Sequence, residues 1–150
     1  MPQSLAVNYI HLIYSTKHRE KLLLPEIRPD LFAYKAAILQ EWGCFVHEIG
    51  GEIDHVHLLF QLSKNHALVK IIEEVKRSSS KWIKTQGSEF SNCYWQGGYG
   101  AFSIGHSQLP RVRRYIRNQE EHHRTMTFQE ELRLFLERYN VEYDERYIWE

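Results

Sequence analysis

Two periodicities divide the chain. Leu5 to Thr16 alternates β-branched, aromatic and polar residues and reads as a first strand. Pro29-Asp30 can start a helix with the apolar stripe Leu31, Tyr34, Ile38 and Trp42, and Gly43 can stop it. Cys44 to Ile49 is a second strand, and Gly50-Gly51 offers the backbone freedom for a tight connection into a third, forming an antiparallel hairpin. In that third strand Val56, Leu58 and Phe60 alternate with His55, His57 and Leu59, so the two imidazoles share one face. Asn65 can cap a helix whose Leu68, Ile71, Ile72, Val75, Ser79, Trp82 and Ile83 recur at helical spacing. Tyr94 to Ile104 reads as a fourth strand bent at Gln96-Gly97-Gly98.

Beyond these six elements, in the order βαββαβ, the pattern is helical. Ser107 to Arg124 places Pro110 in a first turn and Val112, Tyr115, Ile116, Gln119, His122 and His123 on one stripe. Thr127-Phe128-Gln129-Glu130 is a capping box opening a closing helix through Leu132, Phe135, Leu136 and Tyr139. The expected class is α+β, an antiparallel sheet with helices packed on it and two extra C-terminal helices.

Composition narrows the setting. At 150 residues with 43% hydrophobic and 13% aromatic content, residues 1–150 form one domain with a real core. No apolar run approaches the ~18–20 residues of a membrane span, and no signal peptide is evident, so the expected location is cytoplasmic, with no membrane partner. Cys44 and Cys93 match no Cys-x-x-Cys pattern and read as reduced core residues. Net charge is zero but unevenly spread: residues 1–124 carry a net +4 and residues 125–150 a net −4, so a polyanion would meet the first part.

His55 and His57, at i and i+2 on a stiff strand, can bind one divalent ion; the alternative is a solvated or hydrogen-bonded pair on an open face. Tyr115 and Gln119, at i and i+4, rise from one helix face among Arg111, Arg113, Arg114 and Arg117, an arrangement that packing alone also explains. Lys17 and Arg19 leave the first strand in a basic exit, and Lys76, Arg77 and Lys81 lie on a mostly basic helix face. Both runs suit phosphate contacts and both suit simple solvation.

Ser15-Thr16-Lys17-His18-Arg19, Asp54-His55-Val56-His57-Leu58-Leu59, Tyr94 to Ser103, Tyr115 to His123 and Tyr143-Asp144-Glu145-Arg146-Tyr147 together resemble the single-tyrosine transposases of the histidine-hydrophobe-histidine (HUH) class, including those associated with repetitive extragenic palindromes. The resemblance runs nearly end to end. It implies a ferredoxin-like (RRM-like) sheet and a metal-dependent endonuclease and strand transferase acting on single-stranded DNA with hairpins. It also implies a homodimer whose tyrosine helix can complete the partner's site in trans. In the same way it implies that His55, His57 and Gln119 hold Mg2+ or Mn2+ and that Tyr115 is the nucleophile, forming a 5′-phosphotyrosine.

The chemistry of the side chains agrees with those roles. A free phenol has a pKa of ~10 and needs help to attack phosphorus, which a cation on the phosphate can supply. Two imidazoles and an amide oxygen leave coordination positions open for phosphate and water. Two other functions compete: a non-catalytic hairpin-binding protein, indifferent to metal, and a small-nucleotide phosphodiesterase that turns over without Tyr115.

Overall fold

The computed structural model describes residues 2–150. Strands β1 (Tyr9–Ser15), β2 (Phe45–Glu52), β3 (His55–Gln61) and β4 (Gly100–Ile104) form one sheet in the order β2-β3-β1-β4, with every neighbouring pair antiparallel. Helices α1 (Arg28–Glu41) and α2 (Leu68–Lys84) make the two crossovers, which gives the α+β order the residue pattern predicts and the ferredoxin-like sheet the resemblance implies. Both helices cover one face of the sheet, where Leu12, Tyr14, Val56, Leu58 and Phe60 meet Leu31, Leu39, Ile71, Ile72, Val75 and Ile83. Among the described residues no helix is long and apolar enough to cross a membrane.

The opposite face is covered too. Helices α3 (Leu109–Arg117), α4 (Gln119–His122) and α5 (Phe128–Arg138) lie on it, with Ile13 and Phe102 against Phe128, Leu132, Phe135 and Leu136, and Leu59 against Leu109 and Ile116. An inner strand covered on both faces has no solvated side, so His55 and His57 are fully buried rather than open to water.

Several local expectations shift. The first strand begins at Tyr9 rather than Leu5, and α2 begins after Ala67, with no cap from Asn65. The fourth strand is shorter than Tyr94 to Ile104; before Gly100 only Trp95 bridges, to Thr16. Gly50 and Gly51 are not the hairpin connection but lie inside β2, and the turn falls at Ile53-Asp54. Their smallness serves contact instead: a Cβ on Gly50 would stand 2.6 Å from the Ile116 carbonyl oxygen, so glycine lets α3 lie directly on β2. Gly43, at φ +81°, ends α1 as expected. The single helix expected over Ser107 to Arg124 breaks at Asn118, so three C-terminal helices replace the two foreseen. Thr127 does cap α5, its hydroxyl accepting from Glu130 N at 3.1 Å.

The buried face of α1 is Arg28, Leu31, Lys35 and Leu39; of the expected stripe Leu31 lies on it, and Ile38 and Trp42 pack against the core from its edge. Lys35 is fully buried; its Nζ donates to Tyr14 Oη at 2.5 Å and Ser79 Oγ at 3.1 Å, and lies 3.9 Å from the Trp95 ring centre. Burial holds its pKa well below the ordinary lysine value. Between that lowered value and the unfolded lysine pKa of ~10.4 the unfolded chain binds more protons than the native one, so this group's contribution to stability rises with pH across that window. Lys35→Met removes the linkage. Its stability relative to wild type, from chemical denaturation, is expected to be greatest near neutral pH and to shrink as pH rises towards ~10. A constant difference would show that Lys35 keeps its proton in the fold.

Candidate metal and tyrosine site

The site forms where β3 meets the C-terminal helices. Pleat alternation aims both imidazoles of β3 at the helical layer, where Gln119 and His123, just past the break at Asn118, stand against His55. His55 Nε2 lies 2.9 Å from Gln119 Oε1. His57 Nε2 lies 2.9 Å from Glu131 Oε1, which also stands 3.4 Å from His55 Nε2 and 3.1 Å from His123 Nε2. The second carboxylate oxygen, Oε2, accepts from the Tyr115 hydroxyl and, at 3.3 Å, from Gln119 Nε2. One carboxylate thus joins the histidines to the tyrosine.

The remaining ring nitrogens are held from behind. Asp54 Oδ1 accepts from His55 Nδ1 at 2.7 Å, and His57 Nδ1 lies 2.8 Å from His11 Nε2. Burial disfavours charge on His55, but its hydrogen bonds to Asp54 and Glu131 outweigh it and push its pKa up to about 9. Burial lowers the pKa of His57, against the pull of Glu131, and lowers that of His11 still further. Burial also works against charge on Glu131, yet His57, His123 and His55 around it hold its carboxyl far below the usual range. Burial and then the Glu131 charge push the Tyr115 phenol above its ordinary value.

Donor chemistry fits a divalent ion. Ligand atoms of His55, His57 and Glu131 all lie within 4.8 Å of one another, and Gln119 Oε1 adjoins them. An Asp54 that keeps the proton on His55 Nδ1 leaves Nε2 free to coordinate, and His11 can receive the corresponding Nδ1 proton of His57. The buried carboxylate supplies a negative charge that the pair of neutral imidazoles lacks.

Among the sequence candidates, His55, His57, Gln119 and Tyr115 come together; Tyr115 and His57 have ring centres 5.9 Å apart. Glu131, His11 and His123 were missed. Glu131 had a signal, a carboxylate on the apolar stripe Phe128, Leu132, Phe135. The basic candidates divide. Among the described residues Lys17, Arg19, Lys81, Arg111, Arg113 and Arg114 have no carboxylate within ion-pair distance, and Arg19 sits over the Trp149 ring. Arg77 pairs with Glu74 and Arg117 with Glu48. Lys76 is not on an open face: it donates to the carbonyls of Gln96 and Gly98 at 2.9 and 2.7 Å and braces the bend before β4.

A ferredoxin-like sheet carries the buried histidine pair, and a covering helix carries the tyrosine. Residues 4–119 match the family described as "Transposase IS200 like", and the chain belongs to that family. It is 22% identical over 116 residues to the ISDra2 transposase TnpA of Deinococcus radiodurans, covering 74% of this chain and 83% of that protein. The crystal structure of a candidate transposase from D. radiodurans R1 superposes with a TM-score of 0.62 at 20% identity, over 79% of this chain and 98% of that one. A REP-associated tyrosine transposase bound to a REP hairpin superposes with a TM-score of 0.55 at 13% identity, over 79% and 72%. Glu131 and all of α5 lie beyond the matched residues.

Mn2+ at a hundredfold excess over its dissociation constant is expected to stabilise the protein by ~2.7 kcal/mol, a rise in Tm on the order of 5–10 °C. His57→Ala and Glu131→Gln should lose the rise. Because a cation competes with the His55 proton, apparent affinity should climb by up to about tenfold per pH unit below the His55 pKa. An unchanged rise in His57→Ala would place the ion elsewhere.

Proposed function

We propose that the chain cleaves and rejoins hairpin-bearing single-stranded DNA through a 5′-phosphotyrosine on Tyr115, using Mg2+ or Mn2+ held by His55, His57 and Glu131 with Gln119 alongside. The observation that carries this reading is the shared carboxylate: Glu131 touches both histidines through Oε1 and the Tyr115 hydroxyl through Oε2. Family membership supports a DNA-processing enzyme, and the hairpin in the REP-associated relative supports hairpin DNA as the substrate class.

When bound, the ion would withdraw charge from a non-bridging oxygen of the scissile phosphate and fix it for in-line attack. The rest falls to the chain. As it stands, Tyr115 is restrained, because burial and the neighbouring anion keep its proton in place. A carboxylate whose charge is met by a cation no longer opposes ionisation of the phenol. The phenolic oxygen then bonds to phosphorus, the 3′-oxygen of the preceding nucleotide leaves and takes up a proton, and the 5′ phosphate stays on Tyr115. A second 3′-hydroxyl can reverse the exchange without an external energy source. Arg111 and Arg114, exposed on the tyrosine helix, and Lys17 and Arg19 at the β1 exit are the phosphate contacts.

Joining two ends suits a homodimer. In the fold Tyr115 reaches the histidine cluster of its own chain, which supports a site assembled in cis.

Tyr115→Phe tests the chemistry. Single-stranded DNA taken from the flanks of the coding region and incubated with Mn2+ is expected to give a protein–DNA adduct on a denaturing gel, mapping to the Tyr115 peptide. Phe at this position should eliminate the adduct and spare hairpin binding. Metal-independent binding with no adduct from the wild-type protein would instead identify a non-catalytic hairpin-binding protein, and an adduct surviving Tyr115→Phe would move the nucleophile.

A further inference from the structure

A second feature adjoins Tyr115. A cavity of about 350 Å³ opens between β1, α3 and α5, with His11, Val112, Phe135 and Tyr139 in its walls and Arg111 and Arg138 beside them. Tyr115 forms part of the lining, so whatever fills the cavity touches the tyrosine ring. His11 is 1% exposed, and its Nδ1 is a buried polar atom with no partner. A buried unpaired nitrogen costs stability unless something bonds it, and His11 is one of the residues lining the cavity. Among the described residues no acidic side chain lines the cavity, while both arginines are exposed and free of carboxylates.

We propose that this cavity takes one unpaired nucleotide of the DNA strand adjoining the scissile phosphate, with its base against Phe135 and Tyr139 and within reach of His11 Nδ1, and its phosphate between Arg111 and Arg138. The volume lies at the lower end of the ~300–1,000 Å³ of small-molecule sites, enough for a single nucleotide and too little for a base pair. Phe102 already stacks on Phe135 and Tyr139, so the two rings offer the base only the apolar remainder of their surface, and the arginines offer the phosphate paired donors. The hairpin itself must then bind elsewhere, because a paired base cannot enter. The inference rests on the reading of Tyr115 as the reacting residue. Its wall on α5 lies beyond the residues that match the family, so it belongs to this chain's C-terminal helices.

Photo-crosslinking tests the cavity without requiring cleavage. A short single-stranded oligo(dT) carrying one 5-iodouracil, irradiated with the full-length protein, is expected to crosslink to Phe135 or Tyr139. Val112→Trp fills the cavity and should abolish that crosslink. Should Val112→Trp fail to fold, Arg111→Ala alters an exposed side chain and should lower the crosslink yield by roughly tenfold, the loss of one charge-assisted phosphate contact. Crosslinks confined to other surfaces, or a yield unmoved by both variants, overturn the proposal even if the Tyr115–DNA adduct forms. Crosslinks at Phe135 or Tyr139 in a protein that forms no adduct uphold the cavity and overturn the nucleophile instead.

Discussion

A carboxylate buried to 1% exposure is the constraint on which the C-terminal half depends. Glu131 cannot be ionised inside a protein unless its charge is met, and the groups that meet it come from β3, the end of α4 and the tyrosine helix. That requirement ties α5 to the sheet more specifically than its apolar stripe could. It also sets the state of the tyrosine, since the same carboxylate receives the phenolic hydrogen and keeps it from ionising. A divalent cation held by the same groups would satisfy the carboxylate and free the phenol together.

The sheet supplies the stiffness this arrangement needs. β3 is bonded on both edges, which fixes the imidazoles in the pleat, and Gly50 lets α3 approach β2 at backbone contact, which fixes the height of Tyr115 above them. The two faces divide their work. One holds α1 and α2 over an aliphatic core interrupted by Lys35; the other carries the polar cluster under α3, α4 and α5. Lys76 braces the bend before β4 from the first face, so a residue that looked like a phosphate contact serves the sheet instead.

The order of strands and helices was legible because most elements carry a period of two or of 3.6, while α1, with Arg28 and Lys35 on its buried face, is marked by Pro29 at its start and Gly43 at its end. The histidine pair, Tyr115 and Gln119 were legible through their spacing within single elements. What escaped depends on contacts between elements. Gly50 and Gly51 read as a turn because nothing local reveals a helix lying on the strand. Lys35 and Glu131 carry no local sign of burial, because a charged residue on a helix normally faces water and only the opposing side chains make burial tolerable. The helix break at Asn118 left Gln119 at the site because the chain resumes a helical turn at once, preserving its place beneath His55.

Crystals soaked in Mn2+ and measured for anomalous scattering at the manganese edge test the central claim most directly. The account predicts one strong peak bonded to His55 Nε2, His57 Nε2 and Glu131 Oε1, with the Tyr115 hydroxyl released from the carboxylate. A peak elsewhere, or none, with Glu131 still holding Tyr115 and the histidines, would contradict it.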